Sequence, residues 1–438
     1  MIYLIFEVLT ILAYMLNGYL GLIMSSIMFY FVWLDRKNIF ENKIIISMIL
    51  SVPFYNIGVL GNNMHHMFSW YNIFLIIYII ILIIKFFKKE YKISKRLSFF
   101  MGILLSLMCI NMCLEKNIFA SVTDFLQIVI MLISIFATYQ AKETFIKKLN
   151  NQDIENWINK INITIIAMAI CTVIQFVIYK TTKNTIGIMT MFPGRTTYDL
   201  LFKGYSVLSL VLGIGIIINI NNIVLKKGKK NIDIINVILC IIAIIINSSR
   251  TGLFAALIIV MYIILSNFLK NYNFLKMNKK QLIKGIVFII SVITMILVIF
   301  LAMQISRKSE NIFSDNGRIT TYVNAIKTIF KSFKNFFIGN GLSPDSYDFM
   351  LPHNAILETA MKLGIIFTSI IVYLFVILLK SINNNKYIKY IIWHILISSM
   401  LITGFHEMSF IILFIVISIV STNIYNYSKI IEEEKERK

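Results

Sequence analysis

Four polar stretches in an otherwise apolar chain carry the side chains that could do chemistry. They are Pro193-Gly194-Arg195, Asn247-Ser248-Ser249-Arg250-Thr251-Gly252, Asn316-Gly317-Arg318, and Pro352-His353-Asn354 followed by Glu358. Arg250 is the sharpest of these. It stands between the apolar runs 241–247 and 253–269, with no room for a solvated loop. A guanidinium beside hydrocarbon is costly unless it is paired or faces a wet cavity, so such a residue is a functional candidate by default. The competing reading is an interfacial arginine whose head reaches the lipid headgroups. Three hydroxyl side chains around Arg250 favour the polar site. Arg195 and Arg318 lie in loops, where an arginine is ordinarily just solvated. His353 sits where a loop returns to apolar sequence. Its near-neutral pKa lets it take or give a proton at ambient pH, with an acid limb expected near the ordinary imidazole value.

Other chemistries find no support in the residue pattern. His65, His66, His394 and His406 show neither H-x-x-x-H nor HExxH spacing and have no carboxylate cluster beside them, so no metal site is expected. There is no P-loop, GxGxxG or GxSxG. Cys109, Cys113, Cys171 and Cys240 all fall in apolar runs and read as packing residues. The N-terminus lacks the basic region and small-residue site of a cleaved signal peptide.

The elements that must position these residues follow from hydropathy. The chain has 438 residues, is 58% hydrophobic, and has a mean hydropathy of +0.80; soluble domains are about 45–50% apolar. Apolar runs long enough to cross about 30 Å of hydrocarbon recur throughout. The fold class is therefore all-α, a polytopic transmembrane helical bundle of 12–14 spans. Residues 2–34 are too long for one span and break at Asn17-Gly18. Further spans are predicted near 44–60, 70–87, 98–113, 119–139, 161–180, 199–220, 234–247, 252–269, 285–304, 357–379, 388–404 and 408–426. Three regions result: 1–304 with the first eleven spans, a loop 305–353, and 354–438 with the final three spans and a short tail.

Charge sets the expected orientation. Connections 35–43, 85–96, 140–160, 221–233, 270–284 and 380–389, and the tail from Tyr427, each hold three to six Lys or Arg. They alternate with connections poor in both. The positive-inside rule makes the first set cytoplasmic, both termini included, and puts 305–353 outside. This also accounts for the formal charge of +21 without nucleic acid as a partner. Within the outer loop, residues 319–337 place apolar side chains at helical spacing with lysines between them, which predicts an amphipathic helix. Asn354 is placed to cap the helix that follows. The richness in Ile, Lys and Asn points to an AT-rich bacterial genome.

Three segments then carry a resemblance: SSRTGLFAALI, NGRITTYVNAIKTIF, and IGNGLSPDSYDFMLPHNAILETAMKLGII. In that order they resemble the O-antigen polymerase and O-antigen ligase superfamily. The shared pattern is a Ser-Arg-x-Gly turn opening a span, an outer loop with Gly-Arg, an amphipathic segment and Gly-x-Gly, and His-Asn before a helix. The resemblance covers 190–380; the FPGRTTYDLL context of Arg195 departs from the pattern. It implies glycan transfer from undecaprenyl pyrophosphate on the outer face of the bacterial cytoplasmic membrane, with no metal, cofactor or nucleotide sugar. The implied roles are Arg250, Arg318 and Arg195 on the pyrophosphate, His353 as base, and Asn354 and Glu358 toward the substrate. The implied partners are an undecaprenyl-pyrophosphate-linked oligosaccharide, membrane lipids, a chain-length regulator and a flippase. The expected function is repeat-unit polymerisation for capsule, exopolysaccharide or O-antigen. A ligase-type transferase and a lipid-linked oligosaccharide flippase are the alternatives, although no duplicated halves of the transporter kind are visible.

The orientation is directly testable. In whole cells, a membrane-impermeant thiol reagent should modify a cysteine placed at Ser314 and spare one placed at Ser94. The reverse pattern would move every candidate residue to the cytoplasmic face.

Overall fold

The structure, a computed structural model, describes residues 2–35, 38–61, 64–115, 118–146, 149–192, 195–202, 204–271, 301, 304, 317–343, 346–381, 386–402 and 410–436. Most of the span expected at 285–304 lies outside the described residues. So do residues 305–316 of the long loop, Pro193-Gly194 and His406.

The first apolar stretch is two helices, α1 (Ile2–Leu16) and α2 (Gly18–Leu34), parted at Asn17 as the Asn-Gly break predicts. Then come α3 (Phe40–Ser51), α4 (Trp70–Phe87), α5 (Lys95–Cys113), α6 (Ile118–Gln140), the short α7 (Lys142–Ile146) and the long α8 (Asn151–Thr182). A β-hairpin follows, β1 (Ile188–Phe192) with β2 (Arg195–Leu200), antiparallel with Phe192 opposite Arg195. The chain resumes as α9 (Tyr205–Leu225), α10 (Lys230–Ile246) and α11 (Arg250–Asn271), and then, in the long loop, as α12 (Arg318–Ile329) and α13 (Phe333–Phe337). It closes with α14 (Ala355–Ser381), α15 (Lys386–Ser399) and α16 (Ile411–Glu436). Among the described residues seven helices are long and apolar enough to cross a membrane, with shorter apolar ones at Ile2–Leu16, Gly18–Leu34 and Ile411–Thr422. This is an all-α multi-pass membrane protein with, among the described residues, one small sheet, which occupies the expected connection 181–198 and the start of the span expected at 199–220.

Helix faces follow from the solvent each meets. On α4 the exposed residues Ile76, Ile80, Ile83, Ile84 and Phe87 recur at helical spacing, while Tyr71, Leu75, Tyr78 and Leu82 are buried. On α11 the exposed set is Phe254, Ile258, Tyr262 and Leu265. Large apolar side chains on an outer stripe suit hydrocarbon and would be a liability in water.

The chain divides into two compact units. The first comprises Met1–Met28, Leu60–Asn63 and Ile161–Ser314 and is built around α9, whose residues from Leu208 to Asn219 are buried on every side. Lipid tails offer no hydrophobic drive between helices, so close packing and polar contacts must hold them. Gly252 supplies the first: a Cβ there would collide with the backbone at Ser209, so glycine lets α11 touch α9. Asparagines supply the second. Asn219 donates to Asn162 at 2.7 Å and to the Gly215 carbonyl at 2.8 Å, and Asn236 donates to Asn219 at 3.0 Å, tying α8, α9 and α10. Gln175 of α8 holds the base of the hairpin. Its Nε2 donates to the carbonyls of Ile186 and Ile188 at 2.6 and 3.0 Å, and its Oε1 accepts from Leu200 N–H at 3.2 Å.

The second unit comprises Phe29–Val59, Met64–Lys160 and Asp315–Lys438. Here α6 packs on α5 and α16, α3 on α4, and α12 and α13 on α14. The amphipathic segment expected at 319–337 is two helices, parted at Lys331-Ser332. Ala325 and Ile329 of α12 pack with Tyr347, Ala360 and Met361 in a small core beneath the loop. α14 breaks at Gly364, whose φ of 83° and ψ of 170° only glycine adopts readily. The carbonyls just before the break are taken up from outside the helix. Asn340 N–H donates to Met361 O at 2.9 Å, Gly341 N–H to Lys362 O at 3.2 Å, and Asn111 Nδ2 to Lys362 O at 2.9 Å.

Gly364→Ala should therefore cost at least about 1–3 kcal/mol from backbone strain alone, and more from collision with the Phe337 backbone. Gly102→Ala, in α5 with nothing near its missing Cβ, should be neutral or stabilise by up to about 1 kcal/mol. Thermal unfolding of the two variants in detergent checks the contrast.

Candidate functional site

The first unit brings Arg195 and Arg250 to one turn. Between α10 and α11 the chain reverses through Asn247, Ser248 and Ser249, with Ser248 in the left-handed region at φ 54°. Side chains hold that conformation. Asn247 Oδ1 accepts from Tyr198 N–H at 3.1 Å and its Nδ2 donates to the Tyr205 carbonyl at 3.0 Å. Ser249 and Ser209 share a hydroxyl contact of 2.7 Å, and Ser209 Oγ accepts from Gly252 N–H at 3.2 Å. The turn is thus pinned to the hairpin on one side and to α9 on the other.

Arg195 begins β2 and is 8% exposed. Its Nη1 donates to the Ser248 carbonyl at 3.3 Å and its Nη2 to Tyr205 Oη at 3.2 Å. The guanidinium lies 4.6 Å from the Phe192 ring centre and 5.0 Å from that of Tyr205. Aromatic faces hold arginine well when water is excluded. The sequence treats Arg195 as the weakest of the arginines; the structure bonds it to the Arg250 turn. Asp199 lies fully buried on the same strand and accepts from Thr190 Oγ1 at 3.0 Å. Burial pushes its carboxyl up to about 6, opposed by hydrogen bonds from Thr190 and Thr197 and by the charge of Arg195.

Arg250 is the first residue of α11 and is half-buried. Arg318 opens α12 in the same way, after Gly317 at φ 76°. A helix begins with unsatisfied N–H groups and the positive end of its dipole. A guanidinium added there raises the positive potential further, and an anion relieves it. Both helices therefore present a cation where phosphate is best received.

The second unit brings Arg318, His353, Asn354 and Glu358 to one corner. Tyr322 of α12 donates its hydroxyl to the His353 carbonyl at 2.9 Å, fastening the turn before α14. Asn354 caps that helix as its position predicts, its Oδ1 accepting from Leu357 N–H at 3.0 Å. Glu358 faces inward, is 2% exposed, and pairs with Lys362 one turn on at 2.9 Å. The His353 imidazole is half-buried. Burial lowers its pKa, the Arg318 charge lowers it further, and Glu358 pulls it back up. The acid limb of any step that uses this base accordingly moves below the ordinary imidazole value.

Glu115 is a residue that sequence reasoning passed over. It follows α5, is buried, and accepts from the N–H groups of Leu342 and Ser343, the latter at 3.0 Å, and from Ser346 Oγ at 3.2 Å. Tyr347 Oη donates to the Gly341 carbonyl at 2.6 Å. Only its charge in a short polar gap could have signalled Glu115. Asp199 and Tyr205 likewise read as ordinary span residues until the hairpin is seen. No group of His, Cys, Asp and Glu arranged to hold a metal occurs among the described residues.

Residues 235–372 match the family model for O-antigen ligase. This supports, over about a third of the chain, the resemblance to the O-antigen polymerase and ligase superfamily carried by the motifs. The matched stretch runs from within α10 into α14 and contains Arg250, Arg318, His353, Asn354 and Glu358; Arg195 and its hairpin precede it. No curated protein matches the chain. The match indicates a glycan-processing membrane protein of the O-antigen ligase or polymerase kind.

The coupling at the histidine corner has a definite sign. The folded protein binds the His353 proton less readily than the unfolded chain, so this residue's contribution to stability is full above about 6.5 and is lost as pH falls through the lowered value. In 13C-histidine NMR of the protein in detergent, His353 should titrate below the ordinary value, and Arg318→Gln should move it upward. An unchanged midpoint in that variant would show that Arg318 does not act on the imidazole.

Proposed function

We propose that the protein is a polysaccharide polymerase that joins undecaprenyl-pyrophosphate-linked repeat units on the outer face of the bacterial cytoplasmic membrane. The observation that carries this reading is that Arg250 and Arg318 each open a helix. That is an arrangement made for a phosphate-bearing group. Arg195, Arg250 and Arg318 bind the pyrophosphate and stabilise its charge as it leaves. The acceptor hydroxyl oxygen attacks the anomeric carbon of the donor sugar. The bond from that carbon to the phosphate oxygen breaks, and its electron pair stays on the pyrophosphate. His353, neutral near pH 7 because its pKa is lowered, takes the hydroxyl proton. Asn354 and Glu358 shape the turn that presents the imidazole, through the helix cap and the ion pair to Lys362. A chain-length regulator and a flippase are the partners such an enzyme would work beside.

A ligase is the second reading, favoured by the description of the matched family itself. It uses the same donor chemistry on a different acceptor. Purified protein given only lipid-linked repeat units separates the possibilities: a polymerase lengthens the glycan, a ligase waits for another acceptor, and a flippase moves lipid without lengthening it.

Arg250→Lys keeps the charge and loses the planar fork, and should abolish chain growth with membrane insertion intact. Equal chain lengths for the parent, Arg250→Lys and Arg250→Ala would return Arg250 to an interfacial role. His353→Gln should slow transfer by about 10²–10⁴-fold while the lipid-linked unit still binds. Transfer faster than roughly a tenth of the parent rate would remove His353 as the base.

A further inference from the structure

Within the second unit, at the other end of α5 from Glu115, lies a polar cavity that the proposed reaction does not use. It measures about 620 Å³ and lies where α4 ends, α5 begins and α6 ends, against the later turns of α14. Since α5 runs 19 residues from this cavity toward Glu115, the cavity and Glu115 stand about 28 Å apart along that helix.

Four cations line the cavity, Lys89, Lys92, Arg96 and Lys142, with Glu90 the one carboxylate. They stand on a fixed frame. Tyr91 Oη donates to the Leu82 carbonyl at 2.9 Å, and Ser94 N–H donates to Gln140 Oε1 at 3.1 Å, which pins the turn between α4 and α5. Arg96 Nη2 donates to Tyr373 Oη at 2.7 Å, and Lys142 Nζ lies 4.4 Å from the Tyr139 ring centre. Arg96 and Lys142 are thus held at the wall of the cavity, with the exposed Lys89 and Lys92 beside them. Leu97, Tyr139 and Ile377 line this cavity and also a neighbouring crevice walled almost wholly by apolar side chains, including Met101, Phe136 and Phe375. The crevice is small, about 80 Å³. It takes the first methylenes of an acyl chain and leaves the rest in the bilayer.

We propose that this cavity binds the phosphate headgroup of an anionic phospholipid, with the start of one acyl chain in the adjoining crevice. Solvated lysines of a membrane-flanking loop would attract such lipids without selecting one. A walled cavity of net positive charge that opens onto an apolar crevice selects a molecule with both parts. The site is independent of the glycan chemistry, so it stands or falls separately from the polymerase reading.

The test uses the full chain, stripped of lipid in detergent and offered phosphatidylglycerol or phosphatidylcholine with identical chains. Native mass spectrometry should show phosphatidylglycerol retained at least about tenfold better, as the attraction of several basic residues for an anionic lipid requires. The Arg96→Gln/Lys142→Gln variant should lose most of that preference. Lys331→Gln/Lys334→Gln, with the same change in net charge on exposed residues elsewhere, should keep it. A second measurement needs no variant: phosphatidylglycerol, but not phosphatidylcholine, should shield Lys89, Lys92 and Lys142 from an amine-reactive reagent. Equal retention of the two lipids, equal shielding by them, or a preference unchanged in Arg96→Gln/Lys142→Gln overturns the proposal. So does displacement of phosphatidylglycerol by an equal concentration of inorganic phosphate, which would make this a site for the free anion.

Discussion

A backbone carbonyl inside a membrane protein must find a donor, because no water is there to supply one. The break of α14 at Gly364 leaves carbonyls in that position, and much of the second unit's loop architecture answers them. The N–H groups of Asn340 and Gly341 and the carboxamide of Asn111 supply the donors. To bring them there, Gly339 and Gly341 adopt positive φ, and Gly339 and Gly364 give up any side chain where backbones nearly touch. Glu115 then gathers the next N–H groups of the same loop. The loop before α14 is therefore anchored through its backbone, and α12 with Arg318 is carried on that foundation.

The first unit solves the same problem with side chains. Asn247, Ser209 and Gln175 each satisfy main-chain groups at turns that would otherwise be bare. Their combined effect is to fix the Arg250 turn and the Arg195 strand to one another. An arginine's long side chain costs entropy to order. Here the aromatic rings of Phe192 and Tyr205 have already ordered Arg195.

What could be read in the sequence was whatever depends on local pattern. The Asn17 break, the bounds of α4, the cap at Asn354 and the amphipathic character of α12 all follow from spacing and turn chemistry. Features that depend on distant partners could not be read. Gly364 lies in the apolar run AMKLGIIF and looks like any tolerated glycine; its break exists only because Asn340 and Gly341 stand ready. The hairpin at 188–200 is short and rests on Gln175, which nothing in its own residues reveals. Glu358 and Lys362 show i,i+4 spacing, but their burial is a property of the packed corner, so Glu358 reads from sequence as a substrate ligand. The place of Arg195 beside the Arg250 turn could not be read for the same reason, since its bond to Ser248 spans 53 positions.

An ion pair within the second unit decides which ends of two helices meet. Glu41 in the first turn of α3 and Lys85 in the last turn of α4 meet at 2.9 Å, both nearly sealed from solvent, with the Phe145 ring 4.8 Å from the ammonium. The first turn of α3 and the last turn of α4 form the open end of a helical hairpin, and the pair closes it. Two charges more than forty positions apart thus act as a clasp: losing either would leave the other a buried, uncompensated charge.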